Sequence, residues 1–287
     1  YTTTRTFKGM MGRLDYIQNL GVNAIELMPV SEFEGNQSWG YNPTLYFAVD
    51  KSYGKADDLK ALIDECHKRG IAVILDMVFN HTTGQNPMAK LYPWTSSKES
   101  ETELRFNPWF NLGSEVKHSN NDYGEDWNHS FAPAHEMFTR ALQYWLQEFK
   151  VDGYRLDLSH GLCGTGDDAV PNLKDYYASM QASHPGSYLI LEHWGSHAAA
   201  DWGKLTAAGM MPWNKCDYAL QQAAGGWLQG DNLSGLVKAN YVSYGNSHDE
   251  ERPFFKARKW GEGTLTTSDE ALADRVVLVL GMEALLT

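Results

Sequence analysis

No apolar run in this chain approaches the ~20 residues that span a bilayer as a helix. Its hydrophobic residues, 43% of the total, are dispersed as they would be over a core. Bases are scarce, with 24 Lys and Arg against 36 Asp and Glu and a formal net charge of −12. Nucleic acid and anionic membrane surfaces require a basic patch, so neither is expected as a partner. Cysteine is scarcer still. Cys66, Cys163 and Cys216 stand far apart and make no CxxC pair. An odd, scattered set excludes a disulfide framework and leaves the redox compartment open. The first apolar run is not followed by GxGxxG, which removes the mark of a dinucleotide fold. HExxH is missing too, so no catalytic metal is expected. The opening YTTTRTFKG has neither a basic start nor an apolar stretch, so no secretory leader is legible in it.

Aromatic residues, by contrast, are plentiful: 10 Trp and 15 Tyr in 287 residues. Many fall in polar, Gly- and Asn-bearing segments: Trp39, Tyr41, Trp94, Trp109, Tyr123, Trp127, Trp194 and Trp213. Packing accounts for any one of them. As a set in loops they suit a surface that stacks on the flat faces of sugar rings, with Trp39 and Trp194 among its candidates.

Helix-spaced apolar residues alternate with continuous apolar runs. Residues 7–20 carry Phe7, Met10, Met11, Leu14, Ile17 and Leu20 at helical spacing, then Gly21 and the run VNAIELMPV. Asp57 can cap a helix with Leu59, Leu62, Ile63 and Cys66 inward, which Gly70 ends before IAVILDMVF. A third helix over 135–150 leads into VDGYRLD, and a fourth near 172–180 into YLILEHW. CDYAL (216–220) and NYVSYGNSHD (240–249) are further strand candidates. Residues 268–280 read as a helix, and EALLT as the start of a last strand. This alternation predicts a parallel sheet covered by helices.

Polar residues gather at the C-terminal ends of different strands: Asp76 with Asn80 and His81, Arg155 with Asp157, Glu192, and His248 with Asp249. An open sheet gathers its ligands at one switch point, whereas a closed barrel builds its site from several strand ends. The expected fold is therefore α/β, a (β/α)8 TIM barrel over residues 1–81 and 135–287. Residues 82–134 are aperiodic and rich in Asn, Trp and Pro, and are expected as an inserted loop-rich domain after the third strand.

Three of these acids, Asp157, Glu192 and Asp249, follow apolar strands and can share one mouth. Arg155 and Asp157 are two apart in a strand and point the same way, so the cation favours an ionised Asp157. Glu192 follows the apolar YLIL and is flanked by His193 and Trp194, a setting that keeps a carboxyl protonated. One ionised and one protonated carboxyl are what retaining cleavage of a glycosidic bond requires. Asp249 could stabilise the positive charge of the transition state. For each acid alone, a cap or a structural ion pair is the competing reading.

These segments resemble the alpha-amylase family of retaining glycoside hydrolases. DMVFNH (76–81), GYRLD (153–157), LEHW (191–194) and SHDEE (247–251) are similar to its four conserved regions, in order. WGYNP (39–43) and EDWNHS (125–130) resemble two further family segments. The resemblance implies Asp157 as nucleophile, Glu192 as acid/base and Asp249 as stabiliser. It implies Tyr41 as a stacking platform, with His81, Arg155, His248 and His160 around the sugar, and Asn80 at a position that holds a structural calcium in some relatives. The second region departs from the common Lys-His pair, reading Leu158, Ser159, His160 and Gly161, and the fourth has Ser247 where Asn is common. The first barrel strand and the C-terminal part are expected to lie outside these residues. The implied substrate is an α-glucan or maltooligosaccharide, which favours a secreted or periplasmic location. A family transglycosylase or branching enzyme, a non-catalytic glucan-binding barrel and a metal-dependent barrel hydrolase are the alternatives. Oligomeric state, and α-1,4 against α-1,6 preference, leave no mark in the sequence.

Overall fold

The computed structural model describes residues 5–92, 107–111, 124–164, 166, 168–195, 198–227 and 240–286. It divides into two units, residues 1–210 and 211–287. In the first, the opening apolar stripe forms two short helices in place of one. Helix α1 (Phe7–Met11) begins where the Thr6 hydroxyl accepts from the Gly9 N–H, and α2 (Leu14–Asn19) resumes beyond Gly12 and Arg13. The Arg13 N–H turns to Met10 O at 2.8 Å, a tight turn that separates the two helices.

Strand β1 (Ala24–Leu27) follows, then a hairpin that the apolar runs did not announce, β2 (Ser31–Phe33) antiparallel to β3 (Pro43–Val49). Helix α3 (Ala56–Lys68) buries Leu59, Leu62, Ile63 and Cys66 as expected. Its cap is Lys55 and not Asp57. The Lys55 N–H donates to the Asp58 carboxylate at 3.1 Å, an acid of the first turn reaching back over the helix start. Strand β4 (Ala72–Met77) leads to a short pair, β5 (His81–Thr82) antiparallel to β6 (Glu125–Asp126), with α4 (Pro87–Lys90) between them in the chain. Helix α5 (Ala132–Tyr144) widens into a π-helix, Trp145–Phe149, and ends at Lys150 with a left-handed φ of 60°. Then come β7 (Gly153–Leu156), a 3₁₀ turn (Ser159–Gly161), α6 (Val170–Ser183), β8 (Tyr188–Leu191) and α7 (Ala198–Ala207).

Strands β1, β4, β7 and β8 are neighbours in that order, all parallel. Asp76 pairs in register with Arg155, and Arg155 with Ile190. Register partners in a sheet share a face, so Glu26, Ile74, Asp76, Arg155 and Ile190 line one side. The intervening Val73, Leu75, Tyr154, Leu156, Leu189 and Leu191 are sealed on the other, in the core with α3, α5 and α6. Gly153 has to be small, since a Cβ there would lie 2.3 Å from Tyr188 O.

An aromatic knot stands under the hairpin. Tyr46 meets Phe79, Phe138 and Trp127 with ring centroids 5.6, 5.1 and 5.9 Å away. Its hydroxyl donates to His81 O at 2.9 Å and accepts from Trp127 Nε1 at 2.8 Å, so the knot fixes the backbone that carries His81.

The second unit pairs β9 (Met211–Lys215) with β10 (Val242–Tyr244), again parallel, and adds α8 (Asp217–Gly225), α9 (Pro253–Trp260) and α10 (Asp269–Leu286). Two expectations fail here. CDYAL is the start of α8, because Cys216, Leu220 and Ala224 recur at helical spacing and bury together with Val279. EALLT opens no strand, since α10 runs through Leu286. Among the described residues no helix is long and apolar enough to cross a membrane.

Candidate active site

The buried guanidinium of Arg155 organises the inward face of the first unit. Its Nη1 donates to Asp76 Oδ1 at 2.8 Å, Asp76 Oδ2 at 3.0 Å and Asp157 Oδ1 at 2.9 Å, and its Nη2 pairs with Glu192 Oε2 at 2.9 Å. Asp76 and Arg155 have no exposed side-chain surface, while Asp157 and Glu192 each keep 10%. The two acids read from the sequence as a reacting pair thus stand on adjacent nitrogens of one planar group, each with an edge toward solvent.

Each acid has a second donor. Asn80 Nδ2 donates to Asp157 Oδ2 at 3.1 Å and to Asp157 O at 2.9 Å. The Leu158 N–H donates to Glu192 Oε2 at 2.9 Å from a left-handed backbone, φ 40°. Burial pushes Asp76, Asp157 and Glu192 all above their ordinary pKa values, with Arg155 pulling each down. Arg155 favours the ionised Asp157, as its place two residues away implies, and burial and Asp76 oppose it. One guanidinium is divided among three carboxylates in a water-poor site, and Asp76 adds its own repulsion on Asp157. Burial would also discharge Arg155, but Asp76, Glu192 and Asp157 outweigh it and hold the cation.

Tyr41 hangs from the turn before β3, where Gly40 takes a φ of +97°. Its hydroxyl donates to Asp76 Oδ2 at 2.5 Å, and the Arg155 guanidinium lies 6.0 Å from its ring centroid. Burial and then Asp76 keep this phenol neutral. His81 Nε2 donates to Tyr41 O at 2.8 Å, and its Nδ1 faces Asn80 Oδ1 at 2.5 Å. Burial lowers its basicity, partly opposed by the Tyr41 carbonyl. Trp39, 62% exposed, and the half-buried Trp194 present aromatic surface. His160 is half-buried, its ring edge-on to His193 at 6.4 Å.

The first unit therefore brings together Asp157, Glu192, Arg155, Tyr41, His81 and Asn80. Asp249 and His248 belong to the second unit. There Asp249 keeps 56% of its side chain exposed, with Oδ1 3.4 Å from His248 Nε2, and its N–H donates to Ser247 Oγ at 3.2 Å. Ser247 Oγ and N–H both donate to Glu250, which pairs with Lys215 at 2.7 Å.

The Asn80 amide is engaged by Asp157 and His81, and among the described residues no group of three or more His, Cys, Asp or Glu is placed to hold a metal ion. His193 and His197 stand four apart in sequence, but His197 lies outside the described residues. One inward acid escaped the sequence reading. Glu26, in register with Ile74, is pushed up to about 7 by burial and by Asp76, with Arg155 opposing and Glu192 adding to the push. Its side chain still reaches solvent, so protein surrounds it without sealing it. The signal was an acid set inside the apolar run VNAIELMPV.

The family model for the alpha-amylase catalytic domain matches residues 2–135. Over these residues the chain matches the alpha-amylase family. Malto-oligosyltrehalose trehalohydrolase of Saccharolobus solfataricus is 38% identical over 166 residues, 56% of this chain and 26% of that protein. The intracellular maltogenic amylase of Bacillus subtilis is 26% identical over 270 residues, 88% of this chain and 43% of that one. The chain thus spans less than half the length of either relative. The structure of an alpha-amylase from Geobacillus thermoleovorans superposes with a TM-score of 0.72 at 21% identity, over 98% of this chain and 63% of that chain. The fold is accordingly part of a TIM barrel.

Proposed function

We propose that this chain carries the catalytic barrel of a retaining hydrolase of α-linked glucans. The supporting observation is that Asp157 and Glu192 share the two terminal nitrogens of Arg155 at 2.9 Å each. Carboxyls so arranged suit the ~5–5.5 Å separation that retention requires. In the first step an Asp157 oxygen bonds to the anomeric carbon as the glycosidic C–O bond breaks. Glu192 gives its proton to the departing oxygen. In the second step water attacks the same carbon, Glu192 takes the water's proton, and the bond to Asp157 breaks. Burial suits Glu192 to the donor's part, and the Asn80 amide helps hold Asp157 as a carboxylate. Tyr41 offers the stacking face, and His81 and Arg155 the hydrogen bonds. For Asp249 the resemblance implies the stabilising charge.

The test is turnover of starch, maltooligosaccharides and malto-oligosyltrehalose by the intact protein, with the anomer of the first product read by NMR. Glu192→Gln and Asp157→Asn are each expected to lower turnover by about 10²–10⁴-fold with folding intact. Wild-type turnover in either variant, or an inverted product, would overturn the assignment.

A further inference from the structure

Behind Glu192 runs a buried chain of polar groups that the reaction above does not use. Ser159 Oγ lies 3.1 Å from His193 Nδ1, and His193 Nε2 lies 3.6 Å from Asp201 Oδ2. Asp201 Oδ1 receives Lys204 Nζ at 2.8 Å. Ser159 is fully buried, His193 is 2% exposed and Asp201 7%.

A serine, a histidine and an aspartate in line invite comparison with a hydrolytic triad, and the geometry excludes one. The hydroxyl is sealed from solvent. It meets Nδ1, while the carboxylate takes the Nε2 side, the reverse of the arrangement that activates a serine. With the Nε2 proton drawn toward Asp201, Nδ1 is left as an acceptor and the Ser159 hydroxyl donates to it. Burial lowers the basicity of His193, Asp201 opposing, so the neutral ring is the working form. The other groups around it are Asp168 at longer range, the His160 ring, and Trp202, whose indole N–H donates to His193 O at 2.9 Å.

This chain fastens two dipeptides to one another. The Ser159 N–H donates to Glu192 O at 2.8 Å, and the Leu158 N–H to Glu192 Oε2 at 2.9 Å. The Ser159–His193 contact is the third link between residues 158–159 and 192–193. Leu158 needs such fastening. Left-handed backbone is disfavoured for a side chain with a Cβ and persists only where the surroundings impose it.

We propose that Ser159, His193 and Asp201 form a positioning relay that keeps the Leu158 N–H on Glu192 Oε2 and so fixes the orientation and proton affinity of the acid. The inference rests on the reading of Glu192 as the acid/base. Around that carboxyl stand Arg155, Asp157, Asp76, Glu26, the Leu158 N–H and the Trp194 indole. Of these, the relay touches the Leu158 N–H alone. Losing that donor disfavours the ionised carboxylate and raises the pKa of Glu192.

The experiment compares Ser159→Ala, Asp201→Ala and Asp201→Asn in the intact protein, with Glu192→Gln alongside. In Ser159→Ala and Asp201→Ala, kcat is expected to fall about tenfold with KM held within about twofold. The basic limb of the kcat–pH profile moves to higher pH in both. Asp201→Asn, which can still accept from Nε2, stays near wild type. A folded Ser159→Ala with unchanged kcat and an unmoved basic limb overturns the relay. Should that variant fail to fold, Asp201→Ala gives the same readings with the same power to refute. A Glu192→Gln variant that keeps turnover overturns the hydrolase reading, and the relay with it. A null result in the relay variants beside an inactive Glu192→Gln overturns the relay alone.

Discussion

Arg155→Met keeps much of the buried volume and deletes the cation shared by Asp76, Asp157 and Glu192. The arginine makes four contacts to them of 2.8–3.0 Å. Without it, at least one carboxyl that ionises near pH 4 in the unfolded chain, and that Arg155 holds ionised in the folded wild type, keeps its proton in the folded variant. The folded variant then binds more protons than the unfolded chain, so its stability falls as pH rises. One proton held from about pH 5 to about pH 7.5 costs about 1.36 kcal/mol per pH unit, about 3.4 kcal/mol over the interval. That agrees with the ~3–5 kcal/mol lost when one partner of a buried ion pair is removed. Urea unfolding followed by circular dichroism, at both pH values, measures it. The gap between wild type and variant is expected to be about 3 kcal/mol wider at the higher pH. An equal gap at both would mean that Arg155 contributes shape alone, and the shared-cation account would be refuted.

Tyr46→Phe is expected to lose ~1–3 kcal/mol, because it takes from the Trp127 N–H the oxygen it faces in a sealed core; calorimetry checks this, and an unchanged Tm would sink it. Glu26 sits at about 7 when folded against an ordinary 4.5. Its contribution to stability is present below about pH 4.5 and lost as pH rises through about 7, so Glu26→Gln should flatten Tm against pH across that window. In Gly40→Ala the new Cβ would lie 2.5 Å from Pro29 O at a φ of +97°. The turn must shift Tyr41, raising KM several-fold and lowering Tm, and a variant that changes neither would show the turn to be compliant.

The strands that carry the site were legible because two physical signals coincided. IAVILDMVF is apolar on both faces but for Asp76, as a strand between a helix layer and a packed interior must be, and Asn80 and His81 follow the run. The pairing of Arg155 with Asp157 was legible from the two-residue period alone. What stayed hidden depended on partners distant in sequence. Asp76 stood in the same strand-end list as Asn80, and nothing local marks it as the bidentate partner of Arg155 and the acceptor of Tyr41. Asp201 lies on a helix about ten residues beyond Glu192, and only packing aims it at His193. CDYAL misled because five residues are too few to separate a period of 2 from one of 3.6 when Cys216 and Leu220 satisfy both. The forces that oppose Arg155 at Asp157 were not legible, since a sequence shows one arginine beside one acid. It does not show that two other acids draw on the same charge.

The π-helix that closes α5 bears on how this chain can change in length. Trp145–Phe149 holds its residues in a wider turn than an α-helix, and Val151 and Asp152 lead from it straight into β7. Strand side chains alternate with a period of two, so the count of residues between helix and strand has a parity. Deleting one residue there would offer Tyr154 and Leu156 to the inward face and send Arg155 and Asp157 toward the helices. Deleting two would return each residue type to its own side. Length variation at this junction is therefore not a graded loosening. It works as a switch between odd and even, and only even steps leave Asp157 on the inward face.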